Sequence, residues 1–410
     1  MSGTVSVLGA SGKPVFLNYD SSSNFLLAQE LAATITKGVE AGTILPASDV
    51  TGPPPPLPAG KSGEFVKTLS GLTALPPGYT AAVVTAPNAF LLGSGGVGQK
   101  VLTDEATNLT FLARGGSGTV AAGGGTNQIM IPGSDNGSWS LNTGNGNDVI
   151  VAQGGGNDTI AAGTGQNAIQ LGSGKDLVTS VGQDLIEAGT GSETVDGTGA
   201  VSDQVRGGAS DLVFLGGSGP VTILGGTGSD TYIGSTASQG TAVVLGGSAG
   251  NNYLFAGGGQ TTLFGGGDGD QLFANGFAAQ QLHAGSGNET LDGSLSFGQD
   301  TFFGGSGTES IVGGAGNDTF VAGSGNATID ASFANNTFLF VNGSAGGTSL
   351  VQDLISPSQL KISLSGYGSN EEKYILATQT KVGTGVSITL SDNTRVTFQN
   401  ITDITKANFT

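Results

Sequence analysis

From about residue 123 to residue 341 the chain keeps one short rhythm: a glycine-rich turn, a polar position, and an apolar residue two places later. The cleanest copy is Gly313-Gly314-Ala315-Gly316-Asn317-Asp318-Thr319-Phe320-Val321; Gly144 to Val151, Gly154 to Ala161, Gly225 to Ile233 and Gly304 to Val312 follow the same order. The polar position is occupied in turn by Asp148, Asp158, Asn167, Asp176, Asp184, Glu193, Asp203, Asp211, Val221, Asp230, Ala242, Asn252, Thr261, Asp270, Gln280, Glu289, Asp300, Glu309, Asp318, Ala327 and Asn336, usually nine residues apart. Two places after each stands Ile150, Ile160, Ile169, Val178, Ile186, Val195, Val205, Val213, Ile223, Tyr232, Val244, Leu254, Leu263, Leu272, Leu282, Leu291, Phe302, Ile311, Phe320, Ile329 and Phe338. That alternation predicts short strands with one inward residue each, and glycine supplies the dihedrals a tight reversal needs. Self-similarity at a fixed short period points to a solenoid.

The flanks read differently. Ser23 to Gly42 predicts a helix with Phe25, Leu26, Leu31, Ala32, Ile35 and Val39 as its apolar stripe, ended by Gly42 or earlier by Gly38. A solenoid's first coil exposes an unpaired strand edge, so this helix is expected to lie across it as a cap. Pro53 to Pro56 make a stiff spacer. Phe65 to Leu75 and Tyr79 to Leu92 alternate as strands around the turn Pro76-Pro77-Gly78, and the solenoid is expected from about Ala81. After Val341 the pattern predicts antiparallel strands at Leu360–Leu364, Tyr374–Ala377, Val386–Leu390 and Arg395–Phe398, the last two joined by a turn at Asp392-Asn393. The expected organisation is a cap over residues 1–80, a solenoid over 81–341 and a β unit over 342–410. The long steps at Thr231 to Leu245 and Ser294 to Phe302 read as insertions at turns.

Composition narrows the function. Seventy-six glycines, one tryptophan and 11% charged residues in 410 describe strands and turns. A net charge of −18 with only thirteen Lys and Arg argues against nucleic acid and favours cations. No cysteine is present, so no disulfide or thiolate site is available. Met1 to Phe16 lacks the apolar run of a signal peptide or membrane span, and no membrane insertion is expected. The single histidine, His283, is next to the inward Leu282 and so points outward, a poor start for a zinc site. Thr159, Thr231, Thr290, Thr301 and Thr319 also point outward.

The nonapeptide Gly-Gly-x-Gly-x-Asp-x-hydrophobic-x resembles the RTX (repeats-in-toxin) family over roughly Gly123 to Val341. The resemblance implies an all-β parallel β-roll or β-helix solenoid, with a helix-containing N-terminal cap and an antiparallel C-terminal β unit. Two repeats would make one coil, so that alternate acids stack on opposite edges. One edge would carry Asp158, Asp176, Glu193, Asp211, Asp230, Asn252, Asp270, Glu289 and Glu309; the other Asp148, Asn167, Asp184 and Asp203, then a gap, then Asp300, Asp318 and Asn336. Calcium takes six to eight oxygens, which turn carboxylates and glycine carbonyls of neighbouring coils can supply. The expected calcium ligands are Asp148, Asp158, Asp176, Asp184, Glu193, Asp203, Asp211, Asp230, Asp270, Glu289, Asp300, Glu309 and Asp318. The ending, Ser387 to Phe398 with Ile401 and Phe409, is similar to the C-terminal region of type I secreted members, whose export signal lies at the chain end. The expectation is a secreted, calcium-binding structural protein of a surface layer, filament or biofilm matrix that self-associates and contacts cell-surface glycan. The alternatives are a β-helix enzyme acting on polysaccharide, or a monomeric adhesin or ice-binding solenoid.

Overall fold

Strands of three to seven residues between glycine turns cannot bury an apolar face alone, so they stack on the next copy. The computed structural model describes residues 3–236, 240–332 and 334–410, and the chain divides into two units, Met1–Ser210 and Asp211–Thr410. In each, alternate strands pair in parallel, so that two sheets enclose one apolar column.

In the first unit Val149–Ala152, Gln166–Leu171, Gln183–Glu187 and Ser202–Arg206 form one ladder with Ile150, Ile169, Ile186 and Val205 in register. Thr159–Ala161, Leu177–Thr179 and Glu193–Gly197 form the other, with Ile160, Val178 and Val195 in register. Parallel pairing is already present between Ile44–Ser48 and Ser62–Lys67, upstream of Ala81. The proline run lies between these two strands, with the Tyr79 hydroxyl donating to the Pro55 carbonyl at 2.8 Å.

The N-terminal segment differs from the expectation in two ways. Gly3–Leu8 and Pro14–Tyr19 form an antiparallel hairpin that the pattern did not suggest. The helix, α1 (Ser22–Glu40), is capped by Ser21 and runs through Gly38, where an added Cβ would lie 2.5 Å from Ile44. Gly38 therefore allows close approach rather than ending the helix. Nor does α1 lie across the end of the solenoid. Its buried Ala28, Leu31, Ala32 and Ile35 pack with Val5, Val7, Leu17 and Tyr19 on Val66, Ala81, Val83, Leu102 and Ala121. Those five alternate with the inward Phe65, Ala82, Val101 and Val120, so the helix covers the outer side of a sheet that is apolar on both faces.

In the second unit an aromatic column runs through the core: Phe302, Phe320 and Phe338 stack with centroids 5.3 and 5.2 Å apart. The inward residues expected from the repeat are buried except Val213. Among the described residues of this unit, antiparallel pairing is confined to Thr380–Val382, Gly385–Thr389 and Arg395–Phe398, and Asn393 takes a positive φ of 71° in the expected turn. Leu360–Ser365 instead continues the parallel ladder beside Asn336–Val341. The strand expected at Tyr374–Ala377 is helix α2 (Glu371–Thr378). Two acids in its first turn suit a helix N-terminus, and Glu371 and Ile375, four apart, are its buried face. The insertion after Thr231 includes residues 237–239, outside the described residues. At the other insertion Phe297 stacks on Phe277 in solvent, 5.1 Å apart. His283 does point outward, held between Phe264 and Phe303 at 4.3 and 3.9 Å. Among the described residues no helix is long and apolar enough to cross a membrane.

Candidate metal centres

A side chain at the acid position sits where the turn enters the strand, so it reaches back over the glycine backbone instead of outward. Asp148, Asp158, Asp176, Asp184, Glu193, Asp203, Asp230, Asp270, Glu289, Asp300, Glu309 and Asp318 are all buried. One carboxylate oxygen commonly accepts the peptide N–H of the equivalent residue one coil earlier. In the first unit Asn127 donates to Asp148 at 2.7 Å, Trp139 to Asp158 at 2.7 Å and Asp158 to Asp176 at 2.8 Å. In the second, Gln280 donates to Asp300 and Asp300 to Asp318, at 2.8 and 2.9 Å. The acids therefore stitch coil to coil, a duty their spacing alone did not reveal.

The other oxygen is the informative one. In Asp148, Asp158, Asp176, Glu193, Asp203, Asp230, Glu289 and Asp300 it is buried without a hydrogen-bond partner. Burial pushes these groups up: Asp158 and Glu193 to about 7, and Asp148, Asp203 and Asp230 to about 6. Asp176, Asp184, Glu289, Asp300 and Glu309 are raised for the same reason, and Asp318 is raised to about 6. A buried, partnerless carboxylate oxygen is costly unless a cation meets it.

Main-chain oxygens converge on the same places. A methyl group on Gly182 would sit 2.6 Å from the Gly165 carbonyl oxygen, 2.9 Å from Asp184 Oδ1 and 3.0 Å from the Gly163 carbonyl oxygen. One on Gly247 would lie 2.0 Å from the Gly228 carbonyl oxygen and 3.0 Å from Asp230 Oδ2. Only glycine allows this approach, and the donor set, all hard oxygen, suits calcium. Among the described residues no three acidic or histidine side chains gather at one point. A calcium ion here would therefore draw on one or two carboxylates completed by glycine carbonyls, and the residues present fit it.

Not every acid is equal. Asp270 is satisfied within the protein, by the Asn252 N–H and amide on one oxygen and by Gly266 and Gly267 N–H on the other. Asp318 closes its own turn through Gly314 N–H at 2.8 Å. Ser180 Oγ lies 2.6 Å from Asp184 and 2.7 Å from Asp203, with one proton to give to both.

Asp211 is a correction. It is exposed and accepts the Ser229 N–H at 2.9 Å. The acid position of that coil is held by Leu212, whose N–H donates to Asp230, while Phe214 rather than Val213 faces inward. Leu212, Val213 and Phe214 are all apolar, so either face could have been buried; stacking of Phe214 on Tyr232, centroids 6.1 Å apart, fits the larger ring inside. A one-residue slip flips every side chain in a strand.

These turns, with inward acids over glycine carbonyls on parallel coils, define a calcium-binding β-solenoid. A family model for the RTX calcium-binding nonapeptide repeat, in four copies, matches residues 153–180, 213–236, 245–277, 296–329 and 303–338. The chain carries RTX repeats over these segments, and calcium is the ion that this family of repeats binds. Comparison with curated proteins found no match.

Proposed function

We propose that this is a secreted structural protein that folds on calcium outside the producing cell and builds a surface layer, filament or matrix by self-association. The observation that carries it is the set of buried, partnerless carboxylate oxygens above glycine carbonyls. Without cations these oxygens repel and lack solvation; with millimolar calcium they become ligands. Asp148, Asp158, Asp176, Asp184, Glu193 and Asp203 are the proposed ligands in the first unit, and Asp230, Glu289, Asp300 and Glu309 in the second. Self-association is supported by Ile44–Ser48, which has a ladder partner on one side only among the described residues; such an edge can template another chain. Cell-surface glycan is the proposed contact of the assembled layer. Residues 347–410 are the proposed export signal, on the resemblance of their ending to type I secreted proteins.

Circular dichroism with calcium and with chelator tests the folding switch. An unchanged, cooperatively melting β spectrum in chelator would refute it. Light scattering and negative-stain microscopy in millimolar calcium test assembly, and a monodisperse monomer at high concentration counts against it. Deleting residues 347–410 is expected to retain the chain inside the producing cell.

A further inference from the structure

Two glutamines stand where the repeat would place an acid. Gln280 is in register with Thr261 and Asp300 and is 1% exposed. Its Nε2 donates to the carbonyls of Gly257 at 2.8 Å, Gly259 at 3.3 Å and Asn275 at 2.6 Å, while Oε1 accepts the Asn275 N–H at 3.0 Å. Gly257 and Gly259 are two apart in the turn of the preceding coil, just as Gly163 and Gly165 are in the turn preceding Asp184. Thr261 Oγ1 also donates to Gly259, at 3.3 Å. In the other unit Gln99, 2% exposed, repeats the device: Nε2 donates to Gly96 at 2.9 Å and Gly115 at 3.2 Å, and Oε1 accepts the Ser94 N–H at 2.8 Å.

Given the calcium reading of the acid-bearing turns, on which this rests, we infer that the Gln280 and Gln99 carboxamides take the place of calcium and lock their turns without metal. The amide carries the one thing that an acid lacks here, hydrogen-bond donors aimed at main-chain carbonyls. Being neutral, it meets those carbonyls without the desolvation cost of an ion. On the sheet edge of Gln280 the preceding equivalents are Val221, Ala242 and Thr261, so four successive coils have no carboxylate there. These turns form a calcium-free clamp from which the metal-dependent coils extend.

Hydrogen-exchange mass spectrometry on the whole protein, with and without chelator, tests this beside Gln280→Glu. In chelator the wild-type turn segments 257–260 and 275–280 should exchange about tenfold or more slowly than the Asp158 turn 154–158, the order expected for retained against lost hydrogen bonds. Gln280→Glu should lose that protection in chelator, regain it with calcium, and bind one more calcium per chain by equilibrium dialysis. If the wild-type segments 257–260 and 275–280 exchange as fast as turn 154–158 in chelator while calcium protects both, the clamp is wrong and the calcium reading stands. A Gln280→Glu chain that stays protected in chelator also overturns the clamp. If calcium changes neither turn, the calcium reading itself falls and the clamp with it. Should Gln280→Glu fail to fold, the wild-type comparison decides.

Discussion

Asp158→Asn should change stability in opposite directions with and without calcium. Asp158 Oδ1 accepts the Trp139 N–H at 2.7 Å, and an asparagine oxygen can keep that bond. Oδ2 is buried with no partner, and burial raises the carboxyl to about 7. That rise corresponds to roughly 4 kcal/mol against the charged form, an upper bound on what neutralising the group returns in chelator at pH 8. The chain already holds the replacement elsewhere: Asn252 accepts the Asp230 N–H on Oδ1 and donates Nδ2 to Gly247 and Asp270. In calcium the same change removes a ligand, forfeiting about 2.7 kcal/mol for one site at a hundredfold excess of ion over Kd. Urea unfolding of both proteins at pH 8, each with calcium and with chelator, gives the four stabilities. Equal destabilisation in both conditions would refute the argument, because Asp158 would then be only a hydrogen-bond acceptor and its second oxygen no ligand.

Without calcium, stability should fall as pH rises from about 4 through 7: the buried acids, led by Asp158 and Glu193 near 7, bind protons more tightly folded than unfolded. Circular dichroism in chelator across that range checks the sign, and a fold that strengthens with pH would contradict it. Gly163→Ala combines a positive φ of 74° with a Cβ 1.7 Å from the Gly144 carbonyl oxygen, and should cost about 2–4 kcal/mol in a thermal melt. Gly12→Ala, at φ 69° in open space, should cost about 1 kcal/mol. Asp211→Asn should leave the calcium count from equilibrium dialysis unchanged and Asp230→Asn should lower it; the reverse would restore the register that the structure rejects.

The sequence by itself determined the strands, the inward column and the turn acids, because alternation and glycine are local properties. Phe302, Phe320 and Phe338 are legible as a buried stack from their spacing alone. What required the tertiary structure lies where local signals were degenerate or partners distant. The slip from Asp211 to Leu212 depends on which of two apolar faces meets Tyr232 in the next coil. The seat of α1 on the side of a sheet depends on strands more than twenty residues away whose outward Val66, Val83, Leu102 and Ala121 read as ordinary alternation. Tyr374–Ala377 looked like a strand because four apolar residues in a row carry no period, and the pairing of Glu371 with Ser391, N–H to carboxylate at 2.7 Å, is what the helix serves. Gln280 reads as a damaged copy of an acid position, and Gln99 lies upstream of the run in which acid positions are legible. That their amides close the turns could be seen only when carbonyls sixteen to twenty-three residues away were brought within hydrogen-bonding reach.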